Sequence, residues 1–196
     1  PEQVTSQDVF LFAHGKGLSG REPSAATIGA RLSCLSSFYG FLARMEMATV
    51  NPCDAVERPK VQPTPPRGLS AEQVRQLLDA IPDTVKGRRD RAIVLTLVLT
   101  GRRRSEAIDL RAGDISIEDG KPFYTYRGKG GKRGRRELPQ PAFDAIRRTL
   151  ADVDKELTTM TAEESLWQSG TSERGVTSAT FYNRFRRYLA EAGLPL

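Results

Sequence analysis

The chain is short of the residues from which metal centres and disulfide frameworks are usually built. Its 196 residues include one histidine, His14, and two cysteines, Cys34 and Cys53. A single histidine argues against a histidine-based metal site or a Ser-His-Asp triad within these residues. Two cysteines are too few for a disulfide framework, so we expect a reduced chain.

Long apolar runs are also missing. No stretch approaches the about 18 apolar residues that a membrane-spanning helix requires, and the chain does not open with a signal-peptide pattern. We therefore expect a soluble, cytoplasmic protein with no membrane partner.

Positive charge is present in excess and is unevenly spread. The chain has 30 Lys and Arg residues against 24 Asp and Glu, a formal net charge of +6. Residues 1–65 carry six of each sign, so residues 66–196 hold the whole excess. A basic balance confined to one part of a chain indicates a polyanionic partner such as nucleic acid.

The first third of the sequence indicates helices. A short helix is expected at residues 6–13, and Asn51 followed by proline predicts the start of another. Between them, apolar residues recur at 4-3-4-3 spacing, which predicts a long amphipathic helix from Ser24 to near Glu46. These apolar residues are Ile28, Leu32, Leu35, Tyr39 and Leu42.

A proline-rich stretch separates this helical part from the rest. Prolines 63, 65 and 66 favour a stiff, extended connection. Immediately afterwards, Ser70 and Gln73 have the spacing of a helix capping box. We therefore predict a helical domain at 1–60, a linker at 61–68 and a second domain at 69–196.

An apolar run at residues 92–99 leads into three consecutive arginines, Arg102, Arg103 and Arg104. A helix that is apolar on all sides is a buried one, so we expect this run to form the central helix of a core. Gly101 stands where helices often end, which places the arginines at a turn before a second helix, where a phosphate could bind. The alternative is that the arginines are a solvated surface run.

After the arginines the pattern becomes strand-like. Residues 115–117 alternate, 123–126 are rich in strand-forming side chains, and 135–138 return as a third antiparallel strand. Residues 127–136 form a glycine-rich hairpin with six basic residues and no acid. This hairpin could enter a DNA groove, or it could be a flexible loop that makes only nonspecific phosphate contacts. The whole pattern predicts a mainly α fold with a small antiparallel sheet.

The two basic elements together carry a family resemblance. Residues 100–106, Thr-Gly-Arg-Arg-Arg-Ser-Glu, and residues 128–132, Gly-Lys-Gly-Gly-Lys, resemble the catalytic domain of the tyrosine recombinases, the phage integrase family. Its pattern is Thr-Gly-Leu-Arg-x-Ser-Glu followed by a Gly-Lys-Gly-x-Lys hairpin that ends in Leu-Pro, as residues 137–139 do. Residues 38–42 and 51–52 resemble the family's helical core-binding domain.

The resemblance implies roles for individual residues. Arg103 would be a catalytic arginine, Lys129 the catalytic hairpin lysine, and Glu106 a support for Arg103. Positions 102 and 104 are usually apolar in the family, so the two extra arginines are a departure. Contacts to DNA are expected from Arg102, Arg104, Lys132, Arg133 and Arg135, and the alternative for Arg102 and Arg104 is that the turn packs differently. Arg31 and Arg44 are candidate contacts to the DNA backbone, and the alternative for each is a solvated charge.

The resemblance also implies an architecture and an activity. We expect an all-α, SAM-like core-binding domain followed by an α+β catalytic domain, which act on double-stranded DNA and self-associate there as a dimer or tetramer. The reaction would be site-specific breakage and rejoining through a 3′-phosphotyrosine, with no metal or other cofactor. The family's His-x-x-Arg box and tyrosine would follow residue 196. We therefore expect residues 1–196 to bind DNA without cleaving it. We expect Tyr188 to be a core residue, and neither it nor Tyr182 to be the nucleophile.

Two other functions remain open at this point. One is a non-catalytic DNA-binding or regulatory protein derived from an integrase, which would keep the basic surface without a complete active site. The other is an RNA-binding protein with a basic hairpin, which is disfavoured because no aromatic stacking motif accompanies the basic residues.

Overall fold

The computed structural model describes residues 3–62, 68–128, 131–168 and 175–195. The chain divides into two compact units, Pro1–Arg67 and Gly68–Leu196, here called the first and second units. Within the described ranges, no helix combines the length and the apolar character needed to cross a membrane.

Two helices, α1 (Ser6–His14) and α2 (Ala25–Arg44), build the first unit, as the sequence predicts. Helix α1 begins with a reciprocal cap, because the Thr5 hydroxyl accepts from the Asp8 N–H at 3.2 Å and the Asp8 carboxylate accepts from the Thr5 N–H at 2.8 Å. The buried core of the unit consists of Val9, Ala13, Leu32, Tyr39, Leu42, Cys53 and Val56.

The prediction of a helix starting at Asn51 is wrong, because the chain there makes only turns. The Asn51 side-chain oxygen accepts from the Cys53 N–H at 3.1 Å, and the Asn51 carbonyl accepts from the Asp54 N–H at 3.1 Å. Asparagine readily bonds the backbone two residues on, which gives the chain a local alternative to a helix.

Arg31 fastens the end of α1 to α2. Its Nη1 lies 3.2, 3.0 and 2.6 Å from the carbonyl oxygens of Phe12, Ala13 and Gly15. The last carbonyls of a helix have no partner within the helix, and an arginine can satisfy them while its charge opposes the negative helix end. Arg31, a predicted DNA contact, therefore has a structural role. Its Nη1 is used within the protein, and only its Nε and Nη2 remain for a contact with DNA.

In the described residues of the second unit, five α-helices pack around one core, and a short 3-10 helix spans Ala112–Asp114. The α-helices are α3 (Ala71–Ala80), α4 (Val85–Thr100), α5 (Arg104–Ile108), α6 (Gln140–Ala151) and α7 (Ser178–Glu191). Helix α3 has the predicted capping box, in which the Ser70 hydroxyl accepts from the Gln73 N–H and the Gln73 side chain accepts from the Ser70 N–H.

A three-stranded antiparallel sheet lies between α5 and α6 in the chain. Its strands are β1 (Ile115–Glu118), β2 (Lys121–Arg127) and β3 (Arg133–Glu137), in the order β1-β2-β3. The predicted fold class, mainly α with a small antiparallel sheet, is confirmed.

Helix α4 is the central element of the core, but its burial differs from the prediction. Ile93 and Thr96 are fully buried, whereas Val98 and Leu99 in the last turn are 48% and 41% exposed. The helix also begins before the apolar run, and Arg89 and Asp90 on its first turns are buried. An apolar run does not reveal which faces the neighbouring elements cover, and here they leave one side of the last turn open.

A buried ionic cluster joins α4 to α7. The Asp90 carboxylate is fully buried and accepts a hydrogen bond from the Tyr188 hydroxyl at 2.9 Å. Arg184 forms an ion pair with the same oxygen, and the Arg89 guanidinium lies 3.4 Å from the other. Burial, followed by the negative charge of Asp90, raises the pKa of Tyr188 to about 12. Tyr188 is therefore a core residue, as predicted.

We predict that Asp90→Asn destabilises the second unit by about 3 kcal/mol, because Arg89 would be left buried without its countercharge. Tyr188→Phe removes one hydrogen bond to a charged group and should cost less, about 1.5 kcal/mol. Urea unfolding followed by tryptophan fluorescence measures both, since the one tryptophan, Trp167, is fully buried in this unit. Equal stability of Asp90→Asn and the unchanged chain would contradict the role of Asp90 as the countercharge of the buried Arg89.

Candidate functional site

The three arginines lie at a sharp turn between α4 and α5. We call residues 101–104 the arginine turn. Gly101 ends α4 in the left-handed conformation, with φ at 62°, and its N–H donates to the Leu97 carbonyl at 3.0 Å. A glycine adopts this conformation without the steric cost that a side chain adds. The predicted turn is confirmed, and Arg103 immediately precedes the five-residue α5.

Each arginine of the turn meets a different partner. The Arg103 side chain is 72% exposed, and its Nη1 donates to Glu106 Oε1 at 2.8 Å. The Arg102 side chain is only 23% exposed, with its guanidinium carbon 3.9 Å from the centroid of the Tyr126 ring. The Arg104 guanidinium carbon lies 4.6 Å from the Tyr182 ring on α7. The turn is therefore neither a uniform solvated run nor a single cationic cluster.

Glu106 organises the turn from one side. Its carboxylate accepts from the Arg103 backbone N–H at 3.2 Å as well as from the Arg103 side chain, and Arg102 Nη1 lies 3.8 Å away. The hydrogen bond from the Arg103 side chain, more than any other contact, lowers the pKa of the Glu106 carboxyl below its ordinary value. Glu106 thus stays ionised and holds Arg103 in one orientation.

The basic hairpin is described at its base and on one side of its tip. Arg127 pairs with Arg133 across the two strands, and the Gly128 N–H donates to the Lys132 carbonyl at 2.7 Å. Lys132 and Arg133 are exposed. Lys129 and Gly130 lie outside the described residues, so the position of Lys129 stays a prediction.

The sheet register sorts the hairpin's basic residues onto two faces. Directly paired residues share a face, so Arg133 and Arg135 lie on the face that also carries Phe123. The Arg135 guanidinium carbon is 4.0 Å from the Phe123 ring centroid, and its Nη2 donates to Ser116 Oγ at 3.2 Å. Arg136 pairs with Tyr124 and lies on the opposite face.

The sequence does not predict the contacts that two aromatic rings make with arginines. It predicts Tyr126 only as a strand residue, and Tyr182 as an ordinary residue of the last helix. The alternation of β2 could have placed Tyr126 on the face of the buried Tyr124, but its partner, Arg102, is remote in sequence. Of the two predicted contacts in the first unit, Arg31 is used at the end of α1, while Arg44 is exposed at the end of α2.

The described residues offer no group of three or more His, Cys, Asp or Glu side chains that could hold a metal ion. The candidate site consists of arginines, one carboxylate and aromatic rings. Guanidinium groups bind phosphate oxygens in a planar, two-pronged geometry, so this set of residues is suited to a phosphate backbone.

A mainly helical unit with an arginine turn packed beside a small antiparallel sheet defines the class, that of the tyrosine recombinase catalytic domain. The chain belongs to the phage integrase family, whose profile matches residues 67–195. The resemblance predicted from the sequence is confirmed.

Similar proteins carry the name tyrosine recombinase. XerD of Chlorobaculum tepidum is 26% identical over all of this chain and 71% of its own length. XerC of Alcanivorax borkumensis is 31% identical over 98% of this chain and 62% of its own length. XerA of Pyrococcus furiosus is 36% identical over 74% of this chain and 48% of its own length. The chain thus spans about half to seven-tenths of these relatives.

Solved structures share the fold. XerH recombinase in a post-cleavage complex with a palindromic difH substrate superposes with a TM-score of 0.71 at 18% identity, covering 98% of this chain and 54% of that one. A lambda integrase dimer bound to a COC′ core site gives a TM-score of 0.66 at 19% identity, covering 100% of this chain and 67% of that one. At these identities the likeness establishes the fold.

The contacts of Glu106 predict a pH dependence. Because its pKa is lowered in the folded chain, the ionised carboxylate stabilises the fold above the pKa of an unfolded glutamate. This contribution is lost as the pH falls through the lower, folded pKa. We expect the chain to be more stable than Glu106→Gln near pH 7, and the difference to disappear on acidification.

Urea unfolding of both chains across the acidic range, followed by Trp167 fluorescence, measures this difference. The matched control is Glu72→Gln, since Glu72 also pairs with an arginine three residues away but is 67% exposed. An exposed pair of this kind contributes little. A stability difference for Glu106→Gln that does not change with pH would contradict the prediction.

Proposed function

We propose that this chain is the DNA-binding part of a tyrosine recombinase, with residues 1–60 as the core-binding domain, 61–68 as the linker and 69–196 contributing to the catalytic domain. The observation that carries the proposal is the state of Arg103. Its guanidinium is held by Glu106 through one nitrogen and otherwise exposed, at a turn packed against the strand that leads into the basic hairpin.

Arg103 is suited to bind the phosphate at which the strand breaks. Attack on a phosphodiester increases the negative charge on the nonbridging oxygens, and donors already oriented towards that charge stabilise the transition state. An arginine has five N–H groups, and Glu106 engages only those on Nη1. The remaining donors can meet two phosphate oxygens at once.

Lys129 would act from the hairpin as the donor of a proton to the departing 5′ oxygen, which is the role that its place in the family motif gives it. Neighbouring cations lower the pKa of a lysine and so make it a better acid. Arg127, Lys132 and Arg133 lie within four residues of it in sequence. No metal or nucleotide enters this proposal, and the tyrosine of the phosphotyrosine step would come from outside these residues.

The remaining basic residues would bind the DNA backbone and set the register of the protein on the duplex. Arg104, Lys132 and Arg133 are exposed in the second unit, and Arg44 is exposed in the first. Arg31 and Arg135 can take part only with donors that their contacts within the protein leave over.

Self-association on DNA is part of the proposal. Two of the solved structures with this fold are a lambda integrase dimer bound to a COC′ core site and a lambda integrase tetramer bound to a Holliday junction. The names of the relatives favour a recombinase over a regulatory protein derived from one.

Binding of duplex DNA should weaken steeply with salt, because each neutralised phosphate releases condensed counterions. We expect log K to fall linearly with log salt concentration in an anisotropy titration. Arg103→Ala should reduce the slope by about one and leave most of the affinity. Arg75→Ala, which removes an equally exposed arginine on α3, is the control and should change neither. Affinity that is insensitive to salt would overturn the proposal.

Strand cleavage requires the family's tyrosine, so its test uses a longer chain that also supplies the His-x-x-Arg box and that tyrosine. On a suicide DNA substrate, Arg103→Ala should abolish the covalent protein–DNA adduct while duplex binding largely persists. Adduct formed at an unchanged rate would show that Arg103 does not bind the reacting phosphate.

A further inference from the structure

We propose that Arg102 is a positioning residue that fastens the arginine turn to strand β2 through the ring of Tyr126, and so fixes Arg103 relative to the basic hairpin. The inference deepens the proposed function and rests on it. It also reassigns Arg102, which the sequence analysis groups with the DNA contacts.

The first observation is how Arg102 is held. Its guanidinium carbon lies 3.9 Å from the centroid of the Tyr126 ring, and its Nη1 lies 3.8 Å from Glu106 Oε2. The side chain is 23% exposed, and its Nε is buried with no hydrogen-bond partner. A buried donor without a partner is costly, so the ring and the carboxylate must hold the guanidinium there.

The second observation is the space made for the Tyr126 ring. Gly134 is the residue paired with Tyr126 on β3. A Cβ on Gly134 would stand 2.5 Å from Tyr126 Cζ and 2.6 Å from Tyr126 Oη, which is closer than atoms can approach. The ring therefore lies over the bare backbone at Gly134, and any side chain there would push it away from this place.

The ring also lies close to Gly128, two residues further along the chain. A Cβ on Gly128 would stand 3.9 Å from Tyr126 Cε2, which is ordinary contact. Gly128 in turn donates its N–H to the Lys132 carbonyl. Tyr126 thus lies over Gly134 of β3 and close to Gly128, at the base of the hairpin, and Lys129 is the next residue after Gly128.

These contacts connect two parts of the site that are about 25 residues apart in sequence. Arg102 touches Tyr126 at the hairpin base and Glu106, the carboxylate that orients Arg103. Where the family pattern has leucine, this chain has a residue that can stack on a ring and pair with a carboxylate at the same time. Arg102 thereby sets the distance between Arg103 and the hairpin.

Amide hydrogen exchange on the chain without DNA tests the contact directly. Arg102→Met should accelerate exchange of the Gly128 amide and its neighbours in the β2–β3 ladder by about 2- to 30-fold, the range that a cation–π contact supports. Arg102→Lys should restore part of the protection, because lysine also binds ring faces. Amides in the middle of α6 should exchange at unchanged rates.

Variants of Tyr126 and Gly134 test the same contact from the side of the ring. Tyr126→Phe keeps the ring and should protect the hairpin as the unchanged chain does, whereas Tyr126→Leu and Gly134→Ala should resemble Arg102→Met. The double variant Arg102→Met with Tyr126→Leu should be no worse than either single one. Unchanged exchange in Arg102→Met, or equal acceleration across the whole second unit, would overturn the proposal.

The salt dependence of duplex binding separates positioning from direct contact. Arg102→Met should weaken binding at every salt concentration without changing the slope, because Arg102 itself neutralises no phosphate. A slope smaller by about one would make Arg102 a phosphate contact and overturn the positioning role. Failure of the unchanged chain to bind duplex would sink the proposed function, while the exchange result, obtained without DNA, would stand on its own.

Discussion

Three adjacent positive charges repel one another, and the site depends on how that repulsion is offset. Arg102 lies against the Tyr126 ring, and Arg104 lies against the Tyr182 ring. Arg103 donates to the Glu106 carboxylate, which also lies 3.8 Å from Arg102 Nη1. Only one of these partners carries a full negative charge, so the turn keeps a net positive charge. A ring face attracts a cation without neutralising it, which leaves a positive field for an anionic ligand.

The turn can be held in place because α4 is anchored at its other end. The buried Asp90, near the start of the helix, binds Tyr188 and Arg184 of α7. Helix α7 also provides Tyr182, the platform beneath Arg104. Helix α7 thus contacts both the start of α4 and the arginine turn at its end. Loss of the buried cluster should therefore affect the turn through α7 as well as along α4.

The features that the sequence predicts correctly are mostly those that depend on interactions between residues close together in sequence. Three kinds of feature depend on neighbours within a few residues: the helix starts at Ser24 and Ser70, the end of α4 at Gly101, and the three strands. All of these are confirmed. Asn51 shows the limit even there, since the same side chain serves a cap or a turn. The burial of Asp90 depends on Tyr188, 98 residues away, and no local pattern announces such a partner.

The same limit explains why the sequence does not distinguish basic residues with a structural role from those left free to bind DNA. Arg31 and Arg44 lie on one helix, yet one satisfies the end of α1 and the other faces solvent. In the hairpin, Arg135 and Arg136 are neighbours in sequence but lie on opposite faces of the sheet. An arginine is a cation wherever it stands, but what it can bind is decided by which of its donors the fold has already used. By that criterion Arg103 has more donors left for a phosphate than Arg102, since Arg102 is mostly buried against a ring and Arg103 is held by a single carboxylate.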